Sequence, residues 1–103
     1  MHNISPEDAH EMTKDGEACV IDVRTPSEFS DGHIPNAFNI DIYDIAFGEK
    51  IRALDRNARY IINCQSGGRS AKATAFMHEL GFANAKNLDG GIMAWKRLGF
   101  STE

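Results

Sequence analysis

At 103 residues the chain has the length of one domain, and its 42% hydrophobic and 25% charged residues are typical of a soluble globular protein. The formal net charge of −4 argues against a surface built for nucleic acid or an anionic membrane, so we expect neither as a partner. No apolar run is long enough to cross a bilayer, and the early residues lack a signal-peptide pattern, which predicts a cytoplasmic location.

The first predicted elements are a helix and a buried strand. Ser5 is placed to cap the helix, Pro6 suits its first turn, and Gly16 is predicted to end it. The short apolar run over residues 19–23 predicts a buried strand. Cys19 lies inside this run, and we interpret it as ordinary core packing.

Charged side chains follow this strand directly. Asp22 and Arg24 leave a buried segment, where unpaired charges are unfavourable, and Glu28 comes soon after them. We predict that these three residues form a structural network that braces the loops, in preference to direct catalysis. His33 lies in a turn rich in glycine and proline, and we interpret it as a hydrogen-bonding strut, with a general base as the alternative.

The middle of the chain carries weaker signals. Residues 37–40 predict a short strand. Asp41 could cap a short helix that reaches Phe47 and ends at Gly48. Residues 49–54 predict a further helical turn or two before the next strand.

The most informative pattern is a strand, a tight loop and a helix start over residues 60–70. Residues 60–63 suit a buried parallel strand, and the two adjacent glycines that follow permit a tight loop. Beyond Ser70, apolar residues recur at the spacing of one helix face, and Gly81 is placed to stop the helix. The residues of this face are Ala73, Phe76, Met77 and Leu80.

Cys64 stands where this strand ends, just before the helix begins. Unpaired backbone N–H groups and the positive end of the helix dipole favour an anion there, and they also lower the pKa of a thiol. Arg69 adds a permanent positive charge with a planar fork of donors. We therefore interpret Cys64 as a reactive nucleophile rather than an inert buried residue.

The last predicted elements are a strand over residues 85–88, a turn over residues 89–91 and a closing helix. Ile92, Trp95 and Leu98 fall on one side of that helix, and Gly99 is placed to stop it. Helices alternating with short apolar strands predict an α/β fold of three layers around a mainly parallel sheet. Ligands bind beyond the carboxyl ends of such strands, which is where Cys64 lies.

The pattern of cysteines and histidines gives no sign of a metal site. Cys19 and Cys64 lie far apart in the sequence, and there is no Cys-x-x-Cys and no histidine pair at ligand spacing. We therefore predict that the protein uses no metal and no cofactor.

Three motifs resemble those of a single-domain rhodanese. The first runs from Asp22 and Arg24 through Glu28 and His33 to Ile40, and the second, residues 64–70, looks like the active loop Cys-x-x-Gly-x-Arg. The third comprises residues 88–91 followed by Ala94 and Trp95. The motifs occur in order and span nearly the whole chain. One departure is Asn36, where members of the family often have glycine, although asparagine also tolerates a left-handed backbone.

The resemblance implies one rhodanese-like domain over residues 1–103, with about five strands and helices on both faces of the sheet. It implies a sulfurtransferase that moves a sulfane sulfur from a small anionic donor, such as thiosulfate, through a persulfide on Cys64. The acceptor would be cyanide, a thiol, or a thioredoxin-like or other carrier protein. Arg69 would bind the donor's sulfonate, and the implied substrate-binding loop comprises Gln65, Ser66, Gly67, Gly68, Arg69 and Ser70.

Two other functions stay open at this stage. Rhodanese-like domains also serve as persulfide carriers or regulatory interaction modules for partner proteins. A phosphatase and arsenate reductase branch of the same fold has five residues between the loop cysteine and arginine, whereas four separate Cys64 from Arg69 here. A shorter loop draws its donors around a smaller atom, so this branch is the less favoured alternative.

Overall fold

The computed structural model describes residues 2–103, in which five short strands alternate with five helices. The strands are β1 (Asn3–Ile4), β2 (Cys19–Asp22), β3 (Phe38–Asn39), β4 (Tyr60–Asn63) and β5 (Ala85–Leu88). The helices are α1 (Pro6–Lys14), α2 (Pro26–Ser30), α3 (Phe47–Arg52), α4 (Gly68–Glu79) and α5 (Gly91–Arg97).

All four strand pairings in the sheet are parallel, and the strand order is β1-β5-β4-β2-β3. The chain leaves β2 toward β3 on one side and leaves β4 toward β5 on the other. Such a divergence opens a crevice beyond the carboxyl ends of the two central strands. Asp22 and Asn63, which end β2 and β4, are paired in register at this edge.

Each face of the sheet is covered by its own apolar core. On one face, Ile51 of α3 and Met77 of α4 pack against Ile62 of β4. On the other face, Trp95 of α5 packs with Ile61 of β4. Because successive strand residues point to opposite faces, β4 contributes to both cores. The predicted α/β fold with three layers and a parallel sheet is thus confirmed.

Local sequence signals explain where several helices begin. The Asp8 N–H donates to Ser5 Oγ at 3.1 Å, so Ser5 caps α1 as predicted. The short helix α2 was not predicted, yet it begins with a capping box in which Thr25 and Glu28 bind each other's backbone N–H groups. The two-residue strand β1 also went unpredicted, since so short a segment leaves no periodic pattern.

Two predictions about local structure are wrong. The predicted helix from Asp41 to Phe47 is a series of turns, because the Asp41 carboxylate accepts the backbone N–H of Tyr43 at 2.9 Å and so competes with helix formation. Helix α3 begins at Phe47, and Gly48 lies inside it instead of ending a helix. Leu98 was expected on the same side of the closing helix as Ile92 and Trp95, but it follows the end of α5 and is 46% exposed.

A left-handed residue occurs where the sequence departs from the family pattern. Asn36 has a φ of +67°, a conformation that asparagine adopts more readily than most residues. Its N–H donates to Glu103 Oε1 at 2.9 Å, and the backbones of His33 and Glu103 form a reciprocal pair of hydrogen bonds. The end of the described chain is thereby fastened to this turn.

The first turn of α5 packs directly against the backbone that follows β4. The N–H groups of Ile92 and Met93 donate to the carbonyls of Cys64 and Gln65 at 2.9 and 3.1 Å. Gly91 has a φ of +62°, and a Cβ at this position would lie 2.5 Å from the Gln65 carbonyl oxygen and 2.6 Å from that of Cys64. Only glycine therefore allows α5 to hold the start of the loop.

We expect Gly91→Ala to lower the free energy of unfolding by about 2–4 kcal/mol, since it combines a left-handed alanine with overpacking against backbone. Gly99→Ala is the matched control, because Gly99 has a φ of +82° but no described heavy atom within 4 Å of its hypothetical Cβ. The control should lose only about 1 kcal/mol. Urea denaturation measures both, and equal losses would contradict the close approach.

Candidate active site

Cys64 lies at the carboxyl end of β4, with its sulfur facing the start of α4. Its Sγ accepts the N–H of Gly67 at 3.1 Å and lies 3.2 Å from Ser70 Oγ. Gly67 adopts a φ of +108°, which turns the loop back over the sulfur. Within residues 2–103, no side chain caps α4 by a hydrogen bond. The Cys64 sulfur instead accepts the N–H of Gly67, the residue just before the helix.

Two opposing effects act on the Cys64 thiol, which is 1% exposed. Burial raises the pKa of Cys64, because a low-dielectric surrounding disfavours the thiolate. Hydrogen bonds from the Ser70 hydroxyl and from the backbone N–H groups of Ser70, Gly67 and Ser66 outweigh this effect, so the net pKa is below its ordinary value. The surroundings of Cys64 therefore favour the thiolate more than those of an unperturbed cysteine do.

Arg69 forms a bidentate ion pair with Glu28. Its two terminal nitrogens donate to Glu28 Oε1 and Oε2 at 2.7 and 2.9 Å. The prediction that Glu28 joins the network of Asp22 and Arg24 is therefore wrong. Because α2 follows β2 and α4 follows β4, this pair spans the crevice between the diverging connections, a proximity that sequence spacing does not reveal.

The ion pair shifts the pKa of both partners. Hydrogen bonding to Arg69 lowers the pKa of Glu28 from 4.5 to about 2, despite the opposing effect of burial. Hydrogen bonding to Glu28 raises the pKa of Arg69 further above its ordinary value. Glu28 engages two of the five N–H groups of the guanidinium, and the remaining groups can bind a further anion.

Asp22 and Arg24 form a separate, buried pair below the loop. The Arg24 guanidinium donates to the Asp22 carboxylate at 2.7–3.1 Å and to the Gly32 carbonyl at 2.8 Å. Asn63, the residue before Cys64, donates to Asp22 Oδ2 at 3.4 Å. The pair thus links the end of β2 to the turn at Gly32 and to the strand that carries the nucleophile.

His33 lies on the far side of that turn. Its Nδ1 is 2.9 Å from the Phe29 carbonyl oxygen, and its ring stacks on the Phe29 ring with 3.8 Å between centroids. Its Nε2 is 3.7 Å from Glu103 Oε1. These contacts direct His33 to α2 and to the end of the chain, and its proposed role as a strut fits them.

The other residues of the predicted loop form the rim around the sulfur. Gln65, Ser66 and Gly68 are exposed, Gly67 is half-buried and Ser70 is buried. Cys19 lies at the other end of β2, opposite Tyr60, and packs half-buried against the core. The two cysteines are thus in different environments.

Two asparagines near the site were missed from the sequence. Ser70 Oγ lies 2.5 Å from Asn87 Oδ1, and Asn87 Nδ2 lies 3.1 Å from Asn3 Oδ1. The available signal was that Asn87 stands near the carboxyl end of β5, the strand beside β4. Parallel neighbouring strands bring such residues to the same edge of the sheet.

Among residues 2–103 there is neither a metal-binding cluster nor a membrane-spanning helix. No group of three or more His, Cys, Asp or Glu side chains is arranged to hold a metal ion in this part of the chain. None of the helices described there has the length and apolar character needed to span a bilayer.

Comparison with known proteins assigns the fold to a family. The model of the rhodanese-like domain matches residues 5–98. The chain belongs to the rhodanese-like domain family. The predicted resemblance to this family is thus confirmed over nearly the whole chain.

Individual relatives agree with this assignment. Thiosulfate sulfurtransferase GlpE of Pseudomonas aeruginosa is 36% identical over 95 residues, which cover 92% of this chain and 84% of that protein. A sulfurtransferase of Allochromatium vinosum is 35% identical over 80 residues, which cover 78% of this chain and 73% of that protein. The relatives support sulfurtransferase activity in general for this chain.

A solved structure matches the whole rhodanese-like domain. The crystal structure of a rhodanese-related protein from Thermoplasma volcanium superposes with a TM-score of 0.90 and 35% identity. The match covers 100% of this chain and 98% of the other. Strand order and layers are therefore those of an experimentally observed fold.

The pH dependence of stability tests the ion pair between Glu28 and Arg69. Because folding lowers the pKa of Glu28 from 4.5 to about 2, its stabilising contribution is complete above pH 4.5 and is lost as the pH falls toward 2. Glu28→Gln keeps a capping residue but removes the charge. Urea denaturation should show a difference below about 1 kcal/mol at pH 7 that shrinks toward pH 2, since the pair is partly exposed. A difference that stays constant with pH would contradict this ion pair.

Proposed function

We propose that this chain is a thiosulfate sulfurtransferase that carries the transferred sulfur as a persulfide on Cys64. The observation that supports this most directly is the position of the Cys64 sulfur, which accepts the Gly67 N–H and lies 3.2 Å from the Ser70 hydroxyl. Hydrogen bonds to the sulfur lower the thiol pKa, so no separate general base is needed to generate the nucleophile.

In the first half-reaction, the Cys64 thiolate attacks the sulfane sulfur of thiosulfate. A sulfur–sulfur bond forms to Cys64, and the bond between the sulfane sulfur and the sulfonate sulfur breaks. The electron pair of that bond leaves with sulfite. The residue Cys64 is 1% exposed, which suits a donor that presents its reacting sulfur at the end of a small molecule.

In the second half-reaction, a nucleophile removes the terminal sulfur of the persulfide. Cyanide attacks through carbon and leaves as thiocyanate, while the bond between the two sulfurs breaks and returns its electron pair to Cys64. A thiolate acceptor leaves as a persulfide in the same way. Until then the anionic terminal sulfur is stabilised by the N–H groups of the loop and by the positive end of α4.

Arg69 binds the sulfonate end of the donor in this proposal. Two guanidinium N–H groups remain with Glu28, which fixes the plane of the fork, and the others face the arriving oxyanion. As sulfite departs, the same groups stabilise the growing negative charge on its oxygens.

The loop length argues against a phosphatase or arsenate reductase. Four residues separate Cys64 from Arg69, and the Gly67 N–H already contacts the cysteine sulfur at 3.1 Å. A loop drawn in this closely suits one added sulfur atom better than a tetrahedral phosphoryl group. We therefore expect no hydrolysis of an aryl phosphate.

The central prediction concerns the identity of the reacting thiol. Cys64→Ser should abolish the release of sulfite from thiosulfate, because a serine hydroxyl is not ionised at neutral pH. Cys19→Ser is the matched control and should retain most activity, since Cys19 packs at the opposite end of β2. Mass spectrometry after thiosulfate treatment should find one added sulfur on the Cys64 peptide, removed again by cyanide.

The outcomes of this experiment separate the alternatives. Loss of activity in Cys19→Ser alone would mean that the wrong thiol has been named. A persulfide that forms on Cys64 but turns over slowly with cyanide and small thiols would overturn the enzyme proposal in favour of a carrier that serves a partner protein.

The role of Arg69 is tested without leaving a carboxylate unpaired. We expect Arg69→Ala combined with Glu28→Gln to lower kcat/KM for thiosulfate about 10–100-fold, which corresponds to the loss of one or two hydrogen bonds to a charged group. Glu28→Gln alone is the reference and should lower the rate less than the double variant, because it loosens the orientation of Arg69 but keeps the guanidinium. An unchanged rate in the double variant would remove Arg69 from the mechanism.

A further inference from the structure

Polar side chains form a continuous chain from the candidate nucleophile through buried Ser70 and Asn87 to the exposed Asn3 at the edge of the sheet. Ser70 Oγ lies 3.2 Å from Cys64 Sγ and 2.5 Å from Asn87 Oδ1, and Asn87 Nδ2 lies 3.1 Å from Asn3 Oδ1. Ser70 is fully buried and Asn87 is 6% exposed. Buried polar atoms in such a chain depend on one another for hydrogen-bond partners.

The Ser70 hydroxyl has one proton and two acceptors in reach. In the arrangement of the structure, it can donate either to Cys64 Sγ or to Asn87 Oδ1, but not to both at once. A Cys64 thiolate needs that proton directed at the sulfur. Asn87 Oδ1 would then face an oxygen that no longer donates to it, which is unfavourable inside the protein.

Rotation of two side-chain amides removes this conflict. An amide presents an acceptor and a donor of nearly the same shape, so a half-turn exchanges them. The 2.5 Å contact between Ser70 Oγ and Asn87 must lengthen by a few tenths of an ångström to become an ordinary N–H···O hydrogen bond. With Asn87 and Asn3 both turned, Asn3 donates to Asn87, Asn87 donates to Ser70, and Ser70 donates to the sulfur. Every member of the chain is then satisfied, with its donors directed toward the anion.

We propose that Asn87 is a positioning residue for Cys64, whose amide turns together with that of Asn3 and directs the Ser70 proton to the sulfur when the thiol ionises. The thiol proton leaves to solvent, and no covalent bond to any other atom changes. A persulfide anion on Cys64 requires the same orientation. The inference rests on Cys64 acting as a thiolate in the proposed function.

Strand pairing places the side chains of Asn87 and Asn3 next to each other. Asn87 pairs in register with Ile62 of β4 on one side and with Asn3 of β1 on the other. Its Nδ2 also lies 4.0 Å from the position that a Cβ on Gly67 would occupy, so the amide adjoins the loop as well as Ser70. A residue needed only to fasten β1 would require the contact with Asn3 but not the contact with Ser70.

The charged and titratable neighbours of this chain lie on different elements. Arg69 on α4 acts on the Cys64 sulfur and is paired with Glu28 on α2. His2 lines the same cavity as Asn87, and its ring stacks on that of His78 from α4. Burial and the neighbouring His78 lower the pKa of His2 below its ordinary value, so measurements between pH 7 and pH 10 avoid the titration of His2.

Side-chain amide NMR tests the proposal directly. In a Cys19→Ser background, the Asn87 NH₂ resonances should shift with pH, with the same midpoint as alkylation of Cys64 by iodoacetamide. The resonances should not titrate in Cys64→Ser. In Ser70→Ala, Cys64 still ionises but no hydroxyl joins its sulfur to Asn87, so most of the pH-dependent change in the Asn87 NH₂ resonances should disappear. A shift that persists in Ser70→Ala would be a through-space effect of the charge and would overturn the proposal.

A variant provides a second and independent test. In Asn87→Asp, the ionised carboxylate presents only acceptors, so the Ser70 hydroxyl should keep donating to residue 87 and not to the Cys64 sulfur. The thiol pKa should then rise by about one unit, which lowers the rate of Cys64 alkylation at pH 7.5 about tenfold. Ser70→Ala should abolish most of this effect. An equal effect of Asn87→Asp with and without the Ser70 hydroxyl would again contradict the relay.

These experiments do not depend on sulfur transfer. If Cys64 ionises and Asn87 follows it, but thiosulfate yields no persulfide, the proposed function fails while the relay stands. If the persulfide forms and Asn87 does not respond to the ionisation of Cys64, the relay fails while the proposed function stands.

Discussion

The site depends on the hydrogen bonds that the start of α4 directs at a single sulfur atom. Cys64 ends up buried, which by itself would keep its proton in place, and the N–H groups of the loop with the Ser70 hydroxyl reverse that tendency. Gly67 makes this possible because its left-handed backbone folds the loop over the sulfur. Burial and hydrogen bonding therefore act in opposite directions on the pKa of one thiol, and hydrogen bonding has the larger effect.

The rest of the fold holds this arrangement in place from several sides. Helix α5 donates to the carbonyls of the loop, and the absence of a side chain on Gly91 allows that contact. The buried pair of Asp22 and Arg24 supports the ends of β2 and β4 from below. Each support comes from a segment distant in sequence, so the loop is held by the tertiary structure rather than by its own few residues.

Electrostatics divides the site into a charged half and a neutral half. On the charged half, Glu28 orients the Arg69 guanidinium and compensates part of its positive charge. The crevice therefore carries an oriented donor group with a reduced net charge. On the neutral half, the Ser70 hydroxyl can donate either to the Cys64 sulfur or to Asn87, and neither Ser70 nor Asn87 carries a charge. In the proposed sulfur transfer, the charged half would bind the anionic donor and the neutral half would stabilise the anionic sulfur on Cys64.

The sequence was enough to predict the fold class, the central strand and the cap of α1, and to indicate Cys64 as the proposed nucleophile, because these depend on local periodicity and on residues that are close along the chain. It misassigned the partner of Glu28 and missed the contact of Ser70 with Asn87, since both join residues from different strand connections. It also read Asp41 as a helix cap where the side chain closes a turn. Tertiary structure alone decided these contacts, because the order of parallel strands sets which side chains meet beyond their carboxyl ends, and no local pattern encodes that order.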